Sequence, residues 1–149
     1  MFRSGRRLFS SASLSLMLVA LLHTLGHFSP PPEDPALASL QAAMESQKFD
    51  LGLGMQPSVS DVFNSLSLTM TVTLLSLGAL NLAVARADDA SGRLVRSFTI
   101  VNVVGVGALV AIYGFYRIPP PLITLAAVEV QFLLALVLQV RRHATGSVA

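Results

Sequence analysis

Four long apolar runs, separated by shorter polar stretches, set the pattern of this 149-residue chain. They cover about residues 8–28, 62–85, 97–116 and 122–140. Each is close to the roughly 20 residues a helix needs to cross a hydrocarbon core of ~30 Å at 1.5 Å per residue. A membrane β-barrel would instead need alternating strands, about eight or more of them, and these runs do not alternate. The pattern therefore predicts an all-α fold, a single integral-membrane four-helix bundle over residues 1–149.

Residues 29–61 form the only long polar connection. It opens on Pro30-Pro31-Pro32, after which Asp34 is suited to cap a helix whose first position is Pro35. Leu37, Leu40 and Met44 recur at i, i+3 and i+7, so residues 36–49 are expected to form a short amphipathic helix lying on the membrane surface. Gly52, Gly54 and Pro57 then break the chain, and Ser58-x-x-Asp61 is a start signal for the second spanning helix. The remaining links are short: a polar turn through Asp88, Asp89 and Gly92, and a tight turn at Pro119-Pro120-Pro121. Short turns force antiparallel neighbours, so the third and fourth spans are expected to pack as a hairpin.

Charge adds an orientation. Only 12% of residues are charged, against roughly 25% in an ordinary soluble domain. Arg3, Arg6 and Arg7 precede the first span, Arg86, Arg93 and Arg96 join the second to the third, and Arg141 and Arg142 follow the fourth. Eight of the ten basic residues thus share one side, with only Lys48 and Arg117 on the other, and the positive-inside rule makes the richer side cytoplasmic. Both termini are then expected inside, and the loop over 29–61 outside. The basic residues sit at helix ends rather than among aromatics, which argues against a nucleic-acid partner. The absence of cysteine excludes disulfides, thiolate metal sites and dithiol redox chemistry.

Arg6-Arg7-Leu8-Phe9 ahead of an apolar run resembles a twin-arginine export signal, with Ala36-Leu37-Ala38 resembling a cleavage site. The run is long enough to span, however, and the prolines with Glu33 and Asp34 set the cleavage-like site unusually far away. Retention of the first helix is the expectation.

Polar groups within the spans carry the information about function. His23 and His27 are four apart and project from one face near the outer end of the first span. In the second, Asn64, Ser67, Thr71, Leu74, Gly78 and Asn81 follow a heptad-like seam, while the third offers Asn102, Gly105, Gly107, Ala111, Tyr113, Gly114 and Tyr116. Glu129 and Gln131 interrupt the fourth. Glu129 lies ~10 Å and His23 ~8 Å from the outer ends of their helices at 1.5 Å per residue, so a ligand-binding layer of His23, His27, Asn64, Ser67, Tyr113 and Glu129 is expected. Glu129 is expected to face inward together with Leu125, Leu133 and Leu136.

Each feature also has a purely structural reading. The small-residue seams are close helix packing, Glu129 sets the register of the bundle, and Tyr113, Tyr116 and Arg117 form an interfacial anchor.

The stretch His23-Thr24-Leu25-Gly26-His27-Phe28, followed by an acidic, proline-containing loop, Phe49, Ser58, Asp61, Phe63 and a second span, resembles a family of small uncharacterised bacterial membrane proteins with four predicted helices. The resemblance covers most of the chain in layout and implies the same topology, with interest centred on the two histidines. The chain departs from that pattern at Asn64-Ser65, where an aromatic followed by glycine is expected. With the arginine split, it leads to the expectation of a multi-pass protein of the plasma (inner) membrane.

Two classes of function stand open at this point, together with a third by analogy. The favoured one is a binding protein for a lipid, a hydrophobic small molecule or a membrane protein partner, requiring no cofactor. The second is a metal- or haem-dependent oxidoreductase in which His23 and His27, with Glu129 as third ligand, hold an ion. Two histidines on one helix face cannot supply both axial ligands of a haem. The third is a small proton-coupled transporter using Glu129.

Overall fold

The computed structural model describes residues 2–30, 33–50, 52, 54–88 and 92–146, with side chains between Ser4 and Arg141. The expectations placed on Pro31, Pro32 and Asp89, and on the side chains of Arg3 and Arg142, lie outside the described residues. Five helices follow in order: α1 (Phe2–His27), α2 (Pro35–Ser46), α3 (Val59–Ala87), α4 (Arg93–Phe115) and α5 (Pro119–Gly146). No strand occurs among the described residues, only an isolated antiparallel bridge between Lys48 and Ser58.

Four of the helices, α1, α3, α4 and α5, are long and apolar enough to cross a membrane. The candidate spans run Ser4–His27, Val59–Ala87, Arg93–Phe115 and Pro119–Arg141. At 23 to 29 residues, they reach about 35 to 44 Å. Only 17% to 33% of their most apolar windows is buried within the chain, although those windows are the most hydrophobic part of the protein. Phe115 is 80% exposed and Val104 68%. Water would not tolerate that much open apolar surface on a monomer; lipid does.

The helices extend beyond the apolar runs because different signals set the two lengths. Hydropathy marks what lipid will accept, whereas caps and turns decide where the backbone stops. Asp34 accepts a hydrogen bond from the Ala36 N–H at 2.8 Å ahead of Pro35, as its position demands. Ser58 and Asp61 form a reciprocal cap on α3: the Ser58 hydroxyl accepts from the Asp61 N–H at 3.0 Å, and the Asp61 carboxylate accepts from the Ser58 N–H at 2.8 Å.

Two expectations are corrected at helix ends. The helix predicted over 36–49 stops at Ser46, because the following backbone pairs with the approach to α3. There the Val59 N–H donates to the Gln47 carbonyl at 2.9 Å, and the Phe49 N–H to the Pro57 carbonyl at 3.0 Å. The tight turn assigned to Pro119-Pro120-Pro121 is instead the first turn of α5. A helix leaves its first N–H groups without partners, so three residues lacking that donor lose little there. The actual turn is a Schellman closure of α4. Arg117 N–H donates to the Gly114 carbonyl and Ile118 N–H to the Tyr113 carbonyl, with Arg117 at φ 54°. A left-handed residue with a Cβ costs roughly 1–2 kcal/mol, which makes Arg117 an unusual occupant of a position that favours glycine.

The chain divides into two compact units. The first comprises Met1–Val19 and Leu74–Ala149, the second Ala20–Thr73.

In the first unit, segments of four helices close on one another in a ring. α1 meets α5 where Phe9 and Phe132 pack edge to face at 5.9 Å. It meets α3 at Gly78, whose missing Cβ would lie 2.9 Å from the Ser13 carbonyl oxygen. α3 meets α4 through Asn81 and Asn102, and α4 meets α5 through Thr99 and Gln139. α4 and α5 form the expected hairpin, with Gly114 near Leu122 at one end. Phe9, Leu16, Val95, Val106, Leu125, Val128 and Phe132 fill the interior.

The buried stripe of α5 is Leu125, Val128, Phe132 and Ala135, while Leu133 is 42% exposed. The face predicted from Glu129, Leu125, Leu133 and Leu136 is therefore rotated: the largest side chain, Phe132, takes the interior and turns Leu133 outward. On α4 the buried positions are Val95, Thr99, Asn102 and Val106, and the proposed glycine seam does not face inward throughout. Gly105 has nothing near its missing Cβ.

Candidate functional site

The α3 seam positions the polar groups. Thr71, Leu74, Gly78 and Asn81 are all buried, Ser67 is half-buried, and Val84 with Ala85 continues the line. Their spacing alternates four and three, which keeps one face of a helix against its neighbour. Asn64, at the N-terminal end of the same spacing, is exposed.

In the second unit this face meets α1. His23 Nε2 lies 3.0 Å from Ser67 Oγ. One turn away, the Thr24 hydroxyl lies 3.1 Å from the Thr71 hydroxyl and 2.9 Å from the Ala20 carbonyl. His23 and Thr24 are half-buried, and Thr71 is only 7% exposed. The result is a two-rung polar ladder in which the Thr24–Thr71 rung is the more sheltered and the His23–Ser67 rung stays partly open. His27 does not join it as a second ring on the same partner. It packs edge to face on Phe28 at 4.8 Å. Of the six residues expected to bind a ligand, this unit therefore brings His23 and Ser67 together and leaves Asn64 on the surface.

Tyr113 and Glu129 belong to the first unit. Tyr113 is half-buried near the end of α4. Glu129 turns toward α4, where its Oε1 lies 3.5 Å from the position a Cβ on Gly107 would take. A bare backbone at Gly107 thus makes room for the carboxyl group. Its Oε2 is buried without a hydrogen-bond partner among the described residues. Among those residues, too, no group of three or more His, Asp or Glu side chains is placed to hold a metal ion.

A second polar cluster lies outside the expected ligand layer, in the seams read from sequence as close helix packing. Asn81 and Asn102 exchange two amide hydrogen bonds, at 2.9 and 3.0 Å, and are 0% and 1% exposed. Asn102 also donates to the Phe98 carbonyl at 2.7 Å. Beside it on α4, the fully buried Thr99 hydroxyl donates to the Val95 carbonyl at 2.7 Å and accepts from Gln139 Nε2 at 3.0 Å. The asparagine amides and the Thr99 hydroxyl are matched across helices, as interhelical glue requires, while Gln139 Oε1 is buried without a partner among the described residues. Gln139 continues the buried 125, 128, 132, 135 register by four residues, a face that only packing reveals.

The fold defines the class, an all-helical chain with four candidate membrane-spanning helices in the manner of a multi-pass membrane protein. Compared with known proteins, the chain matches no family model, no curated protein and no solved structure.

Proposed function

We propose that this is a non-catalytic protein of the plasma (inner) membrane of a bacterium, with both termini in the cytoplasm, that binds a lipid or a hydrophobic small molecule carrying a polar group at His23 and Ser67. The observation that carries this reading is the 3.0 Å His23–Ser67 pair. It leaves a half-buried imidazole among side chains that lipid would otherwise cover: Leu22 is 52% exposed, Leu25 67%, Phe63 62% and Leu66 64%. A polar group costs several kcal/mol in hydrocarbon unless it is paired. An amphiphile whose headgroup reaches the open side of the imidazole gains a partner that the acyl region does not offer, while its apolar part lies on the exposed leucines. Thr24 and Thr71 hold the two helices together at the adjacent rung, so the pair is positioned before any ligand arrives.

Native mass spectrometry of the full chain, released from mild detergent, tests this directly. The wild type is expected to retain an amphiphile of defined mass, and His23→Phe combined with Ser67→Ala is expected to lower that retention about tenfold, the effect of losing ~1.4 kcal/mol of hydrogen bonding. Equal retention by the double variant would overturn the reading. The orientation has its own test. Reporter fusions at residue 90 and at the C-terminus should read cytoplasmic and one at Gln47 outside; a cytoplasmic signal from Gln47 would reverse the topology.

A further inference from the structure

A separate feature lies in the first unit, on the early turns of α1. An open groove of about 490 Å³ is lined by Arg6, Arg7, Ser10, Ser11 and Leu14, with no carboxylate among the described lining residues. We propose that this groove binds the headgroup of an anionic phospholipid.

The order of the lining residues carries the argument. Arg7, Ser10, Ser11 and Leu14 stand at i, i+3, i+4 and i+7, and so share one face of the helix. From Arg6 to Leu14 the chain rises about 12 Å at 1.5 Å per residue. Along that distance the chemistry passes from guanidinium, through hydroxyl, to an isobutyl group that is 56% exposed. A phospholipid presents the matching series along its own axis: phosphate, glycerol ester oxygens, acyl chain. Guanidinium recognises a phosphate diester with paired N–H donors. A free phosphate ion would use only the arginine end and leave the remaining groups without a role.

Depth and charge agree with that assignment. The candidate span starts at Ser4, which places both arginines at the level where headgroups meet the hydrocarbon boundary. Arg6 reaches the Arg86 main-chain carbonyl at 3.5 Å, a weak contact that steers the side chain without neutralising its charge. Arg7 is exposed. Ser11 and Ser15 both donate to Gln131 Oε1, at 3.5 and 3.2 Å, which ties α1 to α5 beside the groove.

The test uses the full chain in nanodiscs of phosphatidylcholine. One set carries a small fraction of diazirine-bearing phosphatidylglycerol, the other the same fraction of diazirine-bearing phosphatidylcholine, and labelled peptides are mapped by mass spectrometry. The glycerol probe is expected to label residues 6–14 several-fold more than the choline probe. Arg6→Gln with Arg7→Gln should remove that several-fold preference and bring labelling by the anionic probe to the choline level. Arg6→Lys with Arg7→Lys should keep the part of the preference that comes from charge and lose the part that comes from paired N–H donors, and this variant with the wild-type ratio decides the matter if the glutamine variant fails to fold. Excess inorganic phosphate should leave the labelling in place. Equal labelling by the two probes in the wild type overturns the proposal, as does loss of labelling to inorganic phosphate, which would identify a free-anion site instead.

Discussion

Gly78→Ala should destabilise the protein by about 1–2 kcal/mol, and Gly78→Leu by about 3 kcal/mol or enough to prevent assembly. In an ordinary helix interior the first of these changes would be favourable by ~1 kcal/mol, because alanine is the better helix former. The sign reverses here because of what lies opposite. A Cβ on Gly78 would stand 2.9 Å from the Ser13 carbonyl oxygen of α1, with the Met17 side chain closer still. Met17 can change rotamer. The carbonyl belongs to a helix backbone and moves only if α1 moves as a whole. Ser13 itself is fully buried, and its hydroxyl donates to the Phe9 carbonyl at 2.7 Å, so the local geometry of α1 has little slack. Gly105→Ala is the matched control: nothing lies near its missing Cβ, and it should gain about 0.5–1 kcal/mol. Unfolding in mixed micelles, followed by circular dichroism, measures all three. A Gly78→Ala protein as stable as Gly105→Ala would show that α1 and α3 do not approach this closely.

The second large effect is expected at Phe9. Its side chain is fully buried and meets Phe132 edge to face at 5.9 Å with the ring planes 60° apart. In a water-soluble core, Phe→Ala costs ~3–5 kcal/mol, part of it for transferring the ring out of water. That part is largely missing when unfolded helices remain in lipid, since the acyl chains solvate the ring well. What remains is the cavity and the lost ring contact, about 2–3 kcal/mol. The same micelle titration reads this value. Phe9→Leu should recover more than half of it, because most of the volume is restored. A loss below about 0.5 kcal/mol for Phe9→Ala would mean that the first turns of α1 do not contribute to the packed interior of their unit.

These two sites show how unevenly the chain discloses its own structure. The spans were legible, because a hydrocarbon layer demands length and continuous apolarity and both can be read residue by residue. Two helix starts were legible as well: Asp34 with Pro35, and Ser58 with Asp61, make local bonds that depend on nothing distant. The α3 seam was visible because its small and polar residues stand out against leucine.

The faces of α4 and α5 were another matter. A helix in water is apolar on one side only, and that asymmetry reveals which side is buried. A helix in lipid is apolar all round, so Leu125, Phe132 and Leu133 are equivalent until neighbours select among them. Packing chose Phe132 for the interior and left Leu133 42% exposed, a decision of shape and volume rather than polarity. The pairing of Asn81 with Asn102, and of Thr99 with Gln139, likewise depends on which helices meet and at what height. The placement of Glu129 against Gly107 depends on a close approach between α4 and α5 that no local pattern encodes. The number and composition of the spanning helices are readable from the chain alone, since lipid acts on each segment separately, whereas their ends depend on caps and neighbouring backbone. Tertiary structure alone decided the partners of their polar groups, because hydrogen bonds across helices need two surfaces brought together in register.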